Sequence, residues 1–142
     1  DFFVYNAELD VPSANIQCQF LIHYVDPNPF FENMRMAYYR GARMLIVMMN
    51  SINEESIYKA WEIIREFWTW SGGFWPIIIA YDKSKNQNCQ LEALYRFVER
   101  ISRWTIIPSR SVIISKDNKK KILDAISKCA RDLIVNMYIG GR

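Results

Sequence analysis

The chain has 142 residues, 51% of them hydrophobic and 15% aromatic, which is enough to bury the core of one domain and excludes a disordered chain. Its longest apolar runs, at residues 44–49 and 74–80, are far shorter than the ~20 residues of a membrane helix, so no membrane span is expected. The net charge of +3 is unevenly divided: residues 1–95 carry 7 Lys or Arg against 11 Asp or Glu, whereas residues 96–142 carry 11 against 4.

The first elements predicted along the chain are a β-hairpin and a short helix. Residues 2–9 and 16–25 are apolar and rich in β-formers, and the polar residues 10–15 between them predict a turn. Two prolines in residues 26–29 then interrupt any regular strand. Residues 30–39 follow as a short helix, which Gly41 ends.

The middle of the chain predicts two buried strands with a helix between them. Residues 44–49 and 75–81 are continuous apolar runs of strand length. The helix between them begins at a capping signal in residues 51–56 and ends at Gly72-Gly73. Its apolar face is formed by residues at spacings of 4, 3 and 4, namely Ile57, Trp61, Ile64 and Trp68.

The last third adds a helix over residues 91–101, a short strand over 111–115 and an amphipathic helix over 122–133. The order of elements is therefore β-β-α-β-α-β-α-β-α. Buried strands that alternate with helices predict a mostly parallel sheet covered on both faces. We expect a single α/β domain over residues 1–142.

The cysteines and the histidine limit the chemistry of the chain. Three cysteines, Cys18, Cys89 and Cys129, have neither metal-ligand nor redox spacing, so free thiols in a reducing, intracellular compartment are expected. The one histidine, His23, excludes a His-rich metal site. No metal site is predicted from these residues.

Several short segments stand in a recurring order and at suitable spacing. The most specific is Tyr38-Tyr39-Arg40-Gly41-Ala42. The others are Asp1-Phe2 with Glu8-Leu9-Asp10, Asn53-Glu54-Glu55-Ser56, residues 76–85, residues 115–118 and Ala130-Arg131-Asp132-Leu133-Ile134. Together they resemble the Rab branch of the Ras superfamily of small GTPases, in which the first of these segments reads YYRGA. The resemblance implies a three-layer P-loop NTPase or Ras-like fold, with a mostly parallel sheet, one antiparallel hairpin and binding of guanine nucleotide.

The family's phosphate loop is absent from this sequence. Its pattern GxxxxGK[ST] cannot be built from the five glycines, and the first strand and first helix of the family would precede Asp1. That strand lies between the hairpin and the strand at residues 44–49, where its absence would leave two unpaired edges. We expect upstream residues or another chain to fill the gap, or the sheet to close up.

The catalytic switch motif is also altered. Counted back from YYRGA without gaps, the family's WDTAGQE falls on residues 23–29. Tyr24 then replaces the aspartate that helps to hold magnesium, and Pro27 replaces a glycine whose N–H meets the γ-phosphate. Asn28 replaces the glutamine that orients the attacking water and is one methylene shorter. The resemblance therefore implies no working catalytic residue, with Asn28 as the degenerate position.

The base-recognition motif NKxD becomes Asp82-Lys83-Ser84-Lys85. The family's aspartate accepts hydrogen bonds from two guanine N–H groups, whereas Lys85 can only donate. The SAK motif of the family falls on Ser115 and Lys116, where the backbone N–H of Lys116 could still serve. Tyr24, Pro27, Asp82, Lys83, Lys85, Ser115 and Lys116 are thus the positions of a degenerate nucleotide site.

These departures lead to two functional readings. The first is a Rab-like pseudo-GTPase that does not hydrolyse GTP, has no cofactor and serves as a protein-interaction subunit of a fixed assembly on the cytoplasmic side. The alternative is a divergent small GTPase that still binds GTP or GDP with Mg²⁺ as a switch in membrane traffic or in ciliary or cytoskeletal transport. An unrelated doubly wound binding domain is a third, weaker reading.

Two aromatic sets are candidate partner contacts. Phe2, His23 and Tyr38 occupy the positions of the aromatic triad through which Rab proteins bind effectors; the alternative is that His23 only ends a strand with its ring hydrogen-bonded. Trp70 and Phe74 have no place in the predicted core and are of the type enriched at interfaces, although they could also pack over the helix end.

Basic residues are concentrated in the last third. Arg96, Arg100 and Arg103 share one predicted helical face, and Lys116, Lys119, Lys120 and Lys121 precede the last helix. They are either a solvated face or a docking site for an acidic protein surface, a phospholipid or a nucleic acid. Because no nucleic-acid motif accompanies them, no nucleic-acid partner is expected. The C-terminus has no prenylatable cysteine, so no lipid anchor is visible.

Overall fold

The computed structural model describes residues 2–114 and 119–140, and its elements follow the predicted order. The strands are β1 (Phe2–Val11), β2 (Ala14–His23), β3 (Leu45–Met49), β4 (Ile77–Asp82) and β5 (Arg110–Ile114). The helices are α1 (Glu32–Tyr39), α2 (Glu54–Ser71), α3 (Asn88–Ser102) and α4 (Lys119–Ile134), with 3-10 turns at Pro29–Phe31 and Lys83–Lys85 and a π-helical turn at Val135–Gly140. None of these helices is long and apolar enough to cross a lipid bilayer.

The parallel sheet has the order β3-β4-β5, and β4 is its central strand. Leu45 pairs with Ile77, and Ile78 pairs with Arg110. On one face of β4, Ile77 and Ile79 pack with core residues of α2 and α3; on the other face, Ile78 packs with core residues of α4. The prediction of a buried parallel sheet covered on both faces is confirmed.

Helix α2 shows how local sequence sets element bounds. The Asn53 side chain accepts a hydrogen bond from the Ser56 backbone N–H at 2.8 Å, and Ser56 Oγ accepts one from the Asn53 N–H at 2.9 Å. This reciprocal pair is a capping box. At the other end Gly72 takes a left-handed φ of 82°, which glycine adopts without a steric penalty. Both predicted ends of this helix are confirmed.

The hairpin is tighter than predicted. β1 and β2 extend to Val11 and Ala14, so the turn is only Pro12-Ser13 rather than residues 10–15. Ser13 adopts a φ of 71°, which lets two residues reverse the chain.

Within the described residues, β1-β2 and β3-β4-β5 form two separate sheets, so the two edges at the expected gap have no ladder between them. Helix α4 joins the two sheets. Its Ala130 packs with Leu9 and Val11, and Arg131 Nε donates to the Asp10 carbonyl at 2.7 Å. Packing on a shared helix therefore holds the hairpin against the rest of the domain.

The direction of β2 follows from contacts of α4. Arg110, at the start of β5, bonds to Asp132 near the end of α4, so the helix runs opposite to β5. Tyr5 meets Ser127 and Asp10 meets Arg131, so β1 runs along α4 and β2 runs parallel to β3. β2 and β3 do not pair within the described ranges, so the sheet has not closed up. A strand from upstream residues or another chain stays a prediction.

Candidate functional site

The loop that carries the altered switch residues is anchored by Arg35 of α1. This guanidinium is only 4% exposed and donates from Nε and Nη2 to the two oxygens of Glu66, at 3.0 and 2.9 Å. Its Nη1 donates to the carbonyls of Asp26 and Asn28, at 2.8 and 2.7 Å. A buried charge is tolerated only when it is paired and hydrogen-bonded, and here four acceptor oxygens satisfy the Arg35 guanidinium. The loop is thus fixed to α2 through one side chain.

Tyr39 completes this buried cluster. Its hydroxyl donates to Glu66 Oε2 at 2.9 Å. Burial first, and then the Glu66 carboxylate, raise the pKa of Tyr39 well above its usual value. The hydrogen bond to Glu66 likewise raises the pKa of Arg35. Tyr39 of the YYRGA segment is therefore a core residue that helps to hold Glu66.

The switch-position residues make local hydrogen bonds. Asp26 Oδ1 accepts from the Asn28 backbone N–H at 2.9 Å, and Asn28 Oδ1 accepts from the Phe30 N–H at 2.9 Å. Asn28 thereby caps the 3-10 turn that leads into α1. Pro27 has no N–H to offer, and Tyr24 is exposed to solvent. The Asn28 side-chain amide, at the predicted switch position, is thus used to cap a turn.

The turn after β4 is also internally satisfied. Asp82 Oδ1 accepts from the backbone N–H of Ser84 at 3.0 Å and from its hydroxyl at 2.7 Å. The side-chain bond from Ser84, with a smaller contribution from the Lys85 charge, lowers the pKa of the Asp82 carboxyl. Lys85 Nζ lies 4.0 Å from Asp82 Oδ2, and Lys83 belongs to the same turn. Ser115 and Lys116, the remaining predicted nucleotide-site positions, lie outside the described residues.

Asn86 ties this turn to the loop after β3. Its Nδ2 donates to the carbonyls of Asp82 at 2.6 Å and Asn50 at 3.2 Å, and its Oδ1 accepts from the buried Ile52 N–H at 2.7 Å. The hydrogen bonds of the two degenerate motifs thus go to different partners: the 24–28 loop to Arg35, and the 82–86 turn to Asn50 and Ile52. Sequence reasoning missed Arg35, Glu66 and Asn86, because most of their partners are distant in sequence or are backbone atoms.

The predicted aromatic triad is partly brought together. The rings of His23 and Tyr38 lie 4.6 Å apart between centroids and are tilted by 32°. Phe2 pairs with His23 across the hairpin, which places its backbone beside them. His23 is also the last residue of β2, as the alternative reading requires.

At the opposite end of β4 the aromatic residues divide into a buried set and an exposed set. Trp68 is buried and donates from Nε1 to the Trp75 carbonyl at 2.9 Å, which confirms its core assignment. Trp75 is half-buried and packs against the core clusters on both sides of the sheet, with the Arg43 guanidinium 4.6 Å from its ring centroid. Trp70 and Phe74, the two candidate partner residues, are 40% and 50% exposed.

Two further residues, not singled out from the sequence, extend this exposed set. The Trp104 ring lies 5.8 Å from the Phe74 ring, and the Ile106 backbone N–H donates to the Phe74 carbonyl at 3.0 Å. Phe74 also packs edge-on against Trp68 at 5.2 Å, as in the reading in which it packs over the helix end, and its role as a partner contact stays a prediction. We call Trp70, Phe74, Trp104 and Ile106 the aromatic patch; all four are exposed large apolar side chains, and Trp70 is included because it lies in the last turn of α2, four residues before Phe74.

Three basic residues precede Trp104 of this patch along the chain. Arg103 is its neighbour in sequence, Arg100 lies one helical turn earlier and Arg96 one turn before that, and all three are exposed. In the part of the chain that the structure describes, none of the three forms an ion pair. Lys119, at the start of α4, lies 5.5 Å from the Phe3 ring centroid.

Within residues 2–114 and 119–140, no group of three or more His, Cys, Asp or Glu side chains is placed to hold a metal ion. No protein-family model and no curated protein sequence matches the chain. The family resemblance therefore rests on the segments quoted above.

Proposed function

We propose that this chain is a Rab-like pseudo-GTPase with a P-loop-type fold, and that it acts as a protein-interaction subunit of a fixed assembly without hydrolysing GTP. One observation carries the proposal: the polar side chains of Asp82 and Asn28, at two of the degenerate positions, are engaged in their own turns. Asp82 accepts twice from Ser84, and Asn28 caps the turn that enters α1. Neither is presented as a free ligand for a nucleotide.

The chemistry of Lys85 supports loss of guanine specificity. Its ammonium group lies within the 82–86 turn, 4.0 Å from Asp82. A lysine has three donors and no acceptor, so it cannot receive the two N–H groups of a guanine edge. Each charge-assisted hydrogen bond lost in this way weakens binding by roughly 1.5–3 kcal/mol.

The Arg35 cluster supports a fixed scaffold rather than a switch. A switching loop must change its contacts between states, whereas the carbonyls of Asp26 and Asn28 are bonded to a buried guanidinium. Moving the loop would remove two acceptors from a charge that is already desolvated, which is costly.

The first experiment is to isolate the protein from its native source, denature it and measure released nucleotide by anion-exchange chromatography. A small GTPase that retains its phosphate loop, treated in parallel, is the recovery control. We expect no GDP or GTP from the folded protein and recovery of the chain in a complex of constant stoichiometry. Stoichiometric GDP or GTP would overturn the proposal and establish the switch alternative, with Mg²⁺ as its metal.

A further inference from the structure

We infer that the aromatic patch binds an acidic, apolar segment of a partner protein. This inference deepens the proposed function, since it names the surface and the partner chemistry of an interaction subunit. It rests on the exposure of the patch, on its rigidity and on the charges around it.

The patch gathers large apolar side chains from three separate parts of the chain. Trp70 comes from the last turn of α2, Phe74 from the connection to β4, and Trp104 from the connection between α3 and β5. Trp104 is 60% exposed although its ring contacts Phe74. Adjacent exposed aromatic and aliphatic groups of this kind mark interaction sites, and Trp is among the residues most enriched at binding hot spots.

The patch is held in a defined shape. Phe74 lies against the ring of buried Trp68, which is itself fixed by its hydrogen bond to the Trp75 carbonyl. The backbone bond from Ile106 to Phe74 joins the two connecting segments. A preorganised surface loses little conformational entropy on binding, which favours its use as a docking site.

The charge around the patch is positive. Residues 67–76 and 100–110, which contain all four patch residues, include no Asp or Glu and three arginines. Arg110 is paired with Asp132, whereas Arg100 and Arg103, within four residues of Trp104 in the sequence, are exposed. Charge complementarity therefore selects a partner segment that carries carboxylates next to its apolar side chains.

The same charges argue against two other occupants. A second copy of the chain, docked patch to patch about a two-fold axis, would bring the arginines of one copy towards those of the other. An anionic membrane attracts a protein by roughly 1 kcal/mol for each basic residue near its surface, so two arginines give weak adsorption. A protein segment can instead pair carboxylates with Arg100 and Arg103 while its apolar groups cover the rings.

The test is selection of a displayed random-peptide library on the whole nucleotide-free chain, followed by calorimetric affinities for synthesised winners. We expect winners rich in Asp, Glu and large apolar residues. Their affinity should fall about tenfold or more with Phe74→Ala or Trp104→Ala. The affinity for the peptide should also fall in the double variant Arg100→Glu/Arg103→Glu, which reverses two surface charges and leaves the aromatic rings in place. Phe30→Ala is the matched control, because Phe30 is 85% exposed but lies between Asp26 and Glu32.

Several outcomes would overturn the inference. They are winners without acidic enrichment, affinities unchanged by the Phe74 and Trp104 variants, and tighter adsorption to phosphatidylcholine–phosphatidylserine vesicles than to any peptide. Concentration-dependent dimerisation that Trp104→Ala abolishes would also overturn it, in favour of a second copy. Repeating the titration with GDP–Mg²⁺ and GTP–Mg²⁺ separates the two proposals. If the chain binds nucleotide and its affinity for the peptide is unchanged, only the pseudo-GTPase proposal is refuted. If the chain binds neither nucleotide nor peptide, only the docking-site inference is refuted.

Discussion

The two ends of β4 differ in what they leave for a partner. At the carboxyl end, the 82–86 turn is polar, and Asp82 and Asn86 form several hydrogen bonds within it and with neighbouring loops. At the amino end, the aromatic patch is apolar and exposed, and Arg100 and Arg103, close to Trp104 in sequence, form no ion pair within the described residues. The comparison teaches that a segment resembling a binding motif and a surface that is exposed for binding can lie at opposite ends of the same strand. The available surface is at the end that the resemblance does not mark.

The largest expected effect concerns the polar network that anchors the 24–28 loop. Arg35→Ala leaves the Glu66 carboxylate with the Tyr39 hydroxyl but without its charged partner, and breaking a buried ion pair costs about 3–5 kcal/mol. Urea unfolding should show this loss, and hydrogen exchange should rise in residues 24–28. The double variant Arg35→Met/Glu66→Gln removes both charges and should lose less. Equal losses in both variants would show that the pairing of the two charges is not what holds the loop.

The next largest effect is expected at Cys129 of α4, which is buried and belongs to the same core cluster as Ile78 of β4. Burial, reinforced by Asp132 and opposed by Arg110, raises the pKa of the Cys129 thiol to about 11 from an ordinary value of 9.0. The folded state therefore holds its proton more tightly than the unfolded chain. The associated stability is complete below pH 9 and is lost as the pH rises through 11.

At pH 10.5 the linkage corresponds to a loss of about 2 kcal/mol relative to pH 8. Chemical unfolding of the native protein and of Cys129→Ala at both pH values measures it. The alanine variant begins less stable and should lose less on alkalinisation, because it has no thiol to ionise. Parallel losses in the two proteins would contradict the assignment to Cys129.

A smaller effect is expected on stability at the apolar end. Trp104→Ala removes an exposed ring that contacts Phe74, so the free energy of unfolding should fall by no more than ~1 kcal/mol. Thermal unfolding can compare it with Trp68→Ala, which removes a buried ring and should cost about 3–5 kcal/mol. A large loss in Trp104→Ala would make that ring structural and weaken its role as a contact residue.

The smallest effect is expected at Lys85. Its ion pair with Asp82 is exposed and 4.0 Å long, so Lys85→Asp should change the unfolding free energy by about 0.5 kcal/mol or less. The variant restores the acceptor of the base-recognition motif, yet we expect no tight binding of fluorescent GDP. Ser84→Ala is a control for disturbance of the turn. Tight binding by Lys85→Asp alone would show that one side chain separates this chain from a nucleotide binder.

Prediction from the sequence succeeded where structure depends on near neighbours. The bounds of α2 follow from Asn53, Ser56 and Gly72, all of which act within one helical turn of each end. It left open whether β2 pairs with β3, because pairing between these strands depends on atoms far apart in the chain. A periodic pattern specifies which face of a strand is buried but does not specify its neighbour.

The same limit applies to the candidate site. Trp70 and Phe74 could be singled out because five aromatic residues within nine are unusual in a connecting segment. Trp104 could not, since its contact with Phe74 spans 30 positions and nothing in its own segment indicates it. Arg35 was hidden for a related reason, because two of its acceptors are main-chain carbonyls that any residue provides.

The attachment of the hairpin through α4 has a consequence for how the molecule opens. In the described residues, β1-β2 shares no ladder with the parallel sheet. The hairpin can therefore detach as a unit while every backbone bond of β3-β4-β5 stays intact. The outer edge of β3 has no strand partner within the described residues even before such an opening, and its five residues, Leu45–Met49, carry no charge or proline to discourage pairing with another chain. Detachment of the hairpin would remove one of the elements packed beside that edge, so the contacts on α4 bear on how readily a further strand could add there.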